Sequence, residues 1–400
     1  MTPSSRRSLA LLGAGLGCGA AVIAAAYHLG RGDPGPRPAP PSCADPHRFM
    51  AEPEPVISPD PDGAWRTELV SCADIFSAPG VGRVMWFKYS DLDGGSGIGR
   101  ATWAAGRWSV DPVPALTVAD LADRGVVHIG CTATLVDERG IRVWLRANLA
   151  TKERVIFAAT SPDGRSLRVR SGDPVLRADR DWMRGSLWDP QVFRADDQLR
   201  MVLRCGDRSR SNICMATSPD GDSWTLSENK VVNFKPLFGG EVLGAPMVDR
   251  AAGRWLLWAE HKWYPHWRRG QGADQDQEMW AEILRMPSRN PARFPFGEAE
   301  VVLRPGAAPW MARVVDNPMV VDEGGRPVLY FRGAVRAGGV DGAIGRALPD
   351  CGATDGWPSL FEEQIPSIDA DPRRGTDAGA PPGKHHRDED TGARVPGSGG

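Results

Sequence analysis

Residues 98–108 (IGRATWAAGRW), 156–167 (IFAATSPDGRSL), 213–224 (ICMATSPDGDSW), 283–294 (ILRMPSRNPARF) and 344–350 (IGRALPD) are variants of one unit, an Ile-led strand that ends in a small, polar turn. The leading Ile residues are 58, 57, 70 and 61 positions apart. Upstream of each lies an apolar second strand: VMWFKY, IRVWLRA, LRMVLRC, WLLWAEH and PVLYFRG. About ten residues before these come the first strands: CADIF, CTATL, WDPQVF, GAPMV and DNPMV. A repeat of short alternating strands at this period predicts blades of about four strands stacked radially. The fold expected is all-β, a five-bladed β-propeller, with the starts of its inner strands gathered around one central opening.

Outward from the repeats, the chain divides into segments. In residues 1–28, Ser5-Arg6-Arg7 precedes an apolar run from Leu9 to Tyr27. That layout predicts an export signal, resembling the twin-arginine type, or a membrane anchor of the same residues. Either reading places the protein outside the cytoplasmic membrane, and the anchor would attach it there. Residues 29–45 are a Pro-rich linker, 46–365 the propeller, and 366–400 a tail poor in large apolar residues, expected to be disordered. With 48 basic and 50 acidic residues the net charge is −2, and no basic stripe is evident, which argues against nucleic acid as a partner.

Beyond the first segment the cysteines are Cys43, Cys72, Cys131, Cys205, Cys214 and Cys351. Cys205 and Cys214 end one strand and open the next, so a hairpin disulfide is expected; the state of the other four stays open. No C-x-x-C pair supports a zinc site, and no metal or cofactor is expected.

Aligning the first strands places Asp74, Cys131, Asp189, Ala245 and Asn317 at equivalent axial positions. Blade 4 has a longer connection between its second and third strands, within residues 261–278. Long loops on a binding face are usually functional. This one carries His261, Trp263, Tyr264, His266 and Trp267, a composition suited to stacking on sugar rings. Glycoside hydrolysis needs one carboxylate to activate water or attack the sugar, and one protonated carboxyl to assist the leaving oxygen. Two axial Asp residues in one funnel fit that requirement in part.

Over about residues 55–350 the chain resembles the five-bladed propeller glycosidases of families 43 and 32 and their relatives. The resemblance rests on the turns Ser161-Pro162-Asp163-Gly164 and Ser218-Pro219-Asp220-Gly221 with Trp224, and on Trp188-Asp189-Pro190. It implies Asp74 as base or nucleophile, Asp189 as stabiliser, and an acid Glu on blade 4 two residues before a Pro. There the chain has Gly244, and Ile75 follows Asp74 in place of Pro. Glu241 is the expected substitute acid; Asp316 is a further candidate. With Trp188 and the aromatic loop as sugar contacts, the expected partner is an oligo- or polysaccharide. The function is then that of an exported glycoside hydrolase. Two other readings stay open: a catalytically silent carbohydrate-binding or scaffold propeller, and a phosphorylase similar to family 130 using His266, Arg268 and Arg269.

Overall fold

The computed structural model describes Cys43 and residues 46–360, except 171, 184, 207–210, 237–240, 265–278 and 336–340. The segment 1–28, most of the linker and the tail lie outside the described residues, so the export, anchor and disorder expectations do too. No helix among the described residues is long and apolar enough to cross a membrane.

Five blades follow one another around an axis. Blade 1 is built on Leu69–Ala78, Gly82–Ser90, Ser96–Ala104 and Arg107–Val110, and blade 2 on Val126–Asp137, Gly140–Leu149, Arg154–Ser161 and Arg168–Val169. Blade 3 comprises Leu187–Ala195, Gln198–Cys205, Asn212–Ser218 and Thr225–Leu226. Blade 4 comprises Glu241–Ala251, Arg254–Trp263, Trp280–Ser288 and Glu300–Leu303. Blade 5 has Val314–Asp322, Pro327–Ala334 and Ala343–Pro349, and takes its fourth strand, Phe49–Ala51, from the start of the array. That exchange closes the ring and removes an open edge. The Cys43–Cys351 disulfide, Cα atoms 5.2 Å apart, staples the same closure, and the expected Cys205–Cys214 bridge spans its hairpin.

Strand alternation explains why the blades stack. In the second strand of blade 2, Val143 and Leu145 pack toward blade 1 with Trp86 and Ile98, while Trp144 packs toward blade 3 with Met201 and Leu203. Comparable clusters join blades 3 and 4, 4 and 5, and finally 5 and 1, where Tyr330 and Ile344 meet Met85 and Phe87. Both faces of each blade are therefore buried, and each large side chain contributes roughly 1.5–3 kcal/mol on removal from water. The Ser-Pro-Asp-Gly turns work as their sequence suggests. Asp220 Oδ1 accepts the amides of Asp222 (2.8 Å) and Ser223 (3.0 Å), Gly221 adopts φ 85°, and Trp224 Nε1 donates to the Gly221 carbonyl. Trp144 Nε1 donates to that same carbonyl at 2.9 Å, locking the blade-3 turn onto blade 2.

Candidate functional site

The five repeat-leading Ile residues provide the ruler for the site. Ile98, Ile156, Ile213, Ile283 and Ile344 pair with Lys88, Arg146, Arg204, Glu260 and Arg332 of the second strands. Every inner strand bulges beside this ring. At four of the bulges Cys72, Asp189, Ala245 and Asn317 adopt left-handed φ values of 52°, 48°, 39° and 51°. A bulge re-aims the side chain at its crest, here toward the axis. In blade 2 the irregularity falls between Ile129 and Thr132, enclosing Cys131.

This register corrects the first member of the expected axial set. Asp74 pairs with Trp86, as Ala133 pairs with Trp144, Gln191 with Val202, Met247 with Trp258 and Met319 with Tyr330. It therefore lies two residues further along its strand, and Cys72 holds the axial position. Asp74, Cys131, Asp189, Ala245 and Asn317 do line one central cavity, together with Cys72. Its volume is about 60 Å³, room for a few waters. Within it Asp74 is buried and accepts Thr134 Oγ1 at 2.7 Å and Thr134 N at 3.3 Å. Burial pushes its carboxyl up, against the opposing pull of those hydrogen bonds.

The acid position that the resemblance assigns to blade 4 holds no carboxylate, and the axial step of blade 1 holds a cysteine. Cys72, at the axial step of blade 1, is bridged to Cys131 of blade 2, their Cα atoms 5.4 Å apart. At Gly244 the space for a side chain is already filled: a Cβ would meet Arg204 Cδ at 2.5 Å and Glu260 Oε1 at 2.8 Å. Asp189 remains, with Oδ1 3.1 Å from Cys131 Sγ and Oδ2 3.7 Å from Arg204 Nε. Cys72, Cys131 and Asp189 bring potential metal-ligating atoms within 4.8 Å of one another, but the two sulfurs are committed to each other.

Glu241, the expected substitute acid, is buried beside the blade-4 core rather than among the residues that line the cavity. Its Oε1 lies 2.9 Å from His261 Nε2, and His261 Nδ1 faces Glu282 Oε1 at 3.3 Å. Burial opposes protonation of His261, but the two flanking carboxylates outweigh it and hold the imidazole above its usual range. His261, Trp263 and Tyr264 are consequently buried, not displayed for stacking: the second strand runs through Trp263, and the expected aromatic loop begins only after it. His266, Trp267, Arg268 and Arg269 lie outside the described residues.

Around the cavity mouth the Ile-paired ring organises two ionic neighbourhoods. On blades 4 and 5, Asp316 receives Arg332 through Oδ1 (2.7 Å) and Oδ2 (2.6 Å) and Lys262 Nζ at 2.9 Å. Lys262 Nζ also reaches Glu260 Oε1 at 2.9 Å, which Arg204 approaches at 3.4 Å. Burial would raise the Asp316 carboxyl, but Arg332 and Lys262 hold it below its ordinary value; burial prevails at Glu260, which is pushed up. On blades 1 to 3 cations dominate. The guanidiniums of Arg146, Arg154 and Arg204 lie 4.8, 4.0 and 4.5 Å from the Trp188 ring centre, so that indole is enclosed by cations rather than open to a sugar. Lys88 is lowered to about 7 by burial and by the charges of Arg146 and Arg332, and His128 to about 3 by burial and the neighbouring cations.

The ring residues Lys88, Arg146, Arg204, Glu260 and Arg332 left a trace in the sequence. Each interrupts its apolar second strand at the same step, in FKY, LRA, LRC, AEH and FRG. A charge recurring inside a buried strand is costly unless it is used.

No protein-family model matches the chain, and no curated protein matches it. Solved structures do. A thermostable family-43 glycoside hydrolase superposes with TM-score 0.53 at 12% identity, covering 75% of this chain and 97% of that one. A structure from family 130, described as mannoside phosphorylases that include glycoside hydrolases targeting β-1,2 mannosidic linkages in Candida mannan, gives 0.55 at 14%, with 78% and 97% covered. The family-32 β-fructofuranosidase of Bombyx mori, in complex with sucrose, gives 0.52 at 14%, with 81% and 67% covered. This chain has the propeller fold that these glycosidases share.

Proposed function

We propose that the protein is an exported carbohydrate-binding propeller that holds glycans at its mouth without hydrolysing them. One observation carries this reading: at Gly244, where the resemblance puts the acid, the space is taken by Arg204 and Glu260, while the axial step of blade 1 holds Cys72 tied to Cys131. Hydrolysis of a glycosidic bond needs a carboxyl pair flanking the bond. Asp74 and Asp189 line the cavity, but the acid half of such a pair is missing at Gly244. Asp316 and Glu260 do not replace the other half, because both are fully buried and both are engaged by Lys262. Carbohydrate as the ligand is supported by the shared fold, and export by the charged-then-apolar N-terminus together with three disulfides, which persist in oxidising compartments.

Affinity electrophoresis of the purified protein through gels containing single polysaccharides tests the reading. At least one polysaccharide should retard the protein, and Arg204→Ala, which strips the mouth of a central cation, should move freely. Absence of retardation in every gel would overturn carbohydrate binding.

A further inference from the structure

On blades 1 to 3, two buried or half-buried cations, Arg146 and Lys88, have no opposite charge paired with them among the described residues. Arg146 is 4% exposed; one of its terminal nitrogens donates to Asn148 Oδ1, a neutral amide, and its Nε has no hydrogen-bond partner among the described residues. Neither Arg146 nor Lys88 has an ion-pair partner among them. Two carboxylates, Asp189 and Glu260, lie nearby, and both face Arg204. Burial, with Arg204 and Arg154 alongside, lowers the Arg146 guanidinium to about 10 against the pull of Asp189. A protein normally neutralises such charges internally, as this one does on blades 4 and 5. A desolvated, like-charged cluster beside an opening is therefore built for a group that arrives from outside.

We propose that Lys88, Arg146, Arg154 and Arg204, grouped around Trp188, form an anion seat for the acidic substituent of a glycan, the carboxylate of a uronic acid or the ester of a sulfated sugar. The proposal rests on the carbohydrate reading above and names the ligand class of the same mouth. Guanidiniums present forked N–H donors that match planar carboxylates and sulfate oxygens, and stacking on Trp188 holds the three forks in place. Lys88 adds a compact charge. These side chains are not among those that line the cavity, so a ligand they hold rests beside it. The competing explanation is that the arginines only fill space, packing their stems and planes against the indole.

Calorimetric titration of the full chain separates the two. The probes are trigalacturonate, its methyl ester, a sulfated galactose oligosaccharide with its unsulfated parent, inorganic sulfate and inorganic phosphate. Lys88→Gln is the principal variant, because Lys88 is partly exposed and bears no ion pair; Lys88→Arg is its conservative counterpart. The expected result is at least tenfold tighter binding of one acidic oligosaccharide than of its neutral partner, a difference abolished in Lys88→Gln and kept in Lys88→Arg. Which pair discriminates decides between carboxylate and sulfate. Equal affinity for acidic and neutral partners, or an unchanged preference in Lys88→Gln, overturns the seat and leaves carbohydrate binding standing. Lys88-dependent binding of inorganic sulfate with no oligosaccharide bound sustains the anion seat and overturns the carbohydrate reading. Inorganic phosphate bound more tightly than either acidic sugar overturns the assignment to a glycan. No binding of any probe overturns both.

Discussion

The mouth is held together in two different ways on its two sides. On blades 4 and 5 the charges form a closed lattice, Arg332–Asp316–Lys262–Glu260, in which every member has an opposite partner within 3 Å. On blades 1 to 3, Lys88 and Arg146 lack such partners among the described residues, and a covalent bond, Cys72–Cys131, joins the neighbouring inner strands. The contrast teaches that equivalent positions in a repeat need not do equivalent work. The balanced side serves the fold, and the unbalanced side is available to a ligand.

Breaking the balanced side should have the largest effect. Asp316→Ala leaves Arg332 and Lys262 buried without their shared carboxylate, and should cost about 3–5 kcal/mol in urea unfolding. Lys88→Gln on the opposite side should cost nothing or stabilise. If both variants lose equal stability, the two sides are not different in kind. Removing the bridge, with Cys72→Ser and Cys131→Ser together, should cost about 2–4 kcal/mol, because it releases a closed loop between two blades. A double variant as stable as the parent would show that the cation side needs no covalent tie.

Gly244→Glu sharpens the comparison at the seam between the sides. Its Cβ would meet Arg204 and Glu260, so about 1–3 kcal/mol should be lost as they shift. No glycoside turnover should appear; turnover in this variant would mean that the mouth lacks only its acid. A further effect concerns pH. Lys88 is lowered to about 7 from 10.5, by burial first and then by Arg146 and Arg332, with Asp189 and Glu68 opposing; His128, at about 3, stays neutral there. Between pH 7 and 10.5 the unfolded chain holds the extra proton, so wild-type stability should rise with pH relative to Lys88→Gln. Solvent at the exposed part of Lys88 tempers the size of this rise. A flat difference between the two proteins across that window would show that Lys88 is not crowded by its neighbours.

The blade count was legible because Ile98, Ile156, Ile213, Ile283 and Ile344 each open a third strand, and the two Ser-Pro-Asp-Gly turns close theirs as expected. The site was less legible, for a geometric reason. A bulge sets two residues against one, so counting along an inner strand fails where the side chain turns toward the axis. In blade 1, Cys72-Ala73 lacks the Pro that marks the bulge in blades 3 to 5, and Asp74 drew attention two residues too late. For Glu241 and His261, loop composition does not reveal pairing: the second strand of blade 4 continues to Trp263 and takes both into the core. The recurring charge inside each second strand was visible throughout. Its meaning required knowing that these steps face one mouth.

Whether the mouth binds without cutting is most directly tested by following the anomeric proton signals of a bound oligosaccharide by NMR over days, at protein concentrations that saturate it. A propeller without its acid predicts broadened, shifted ligand signals and no new reducing end. New reducing-end signals that grow with wild type and vanish with Asp189→Asn would contradict it.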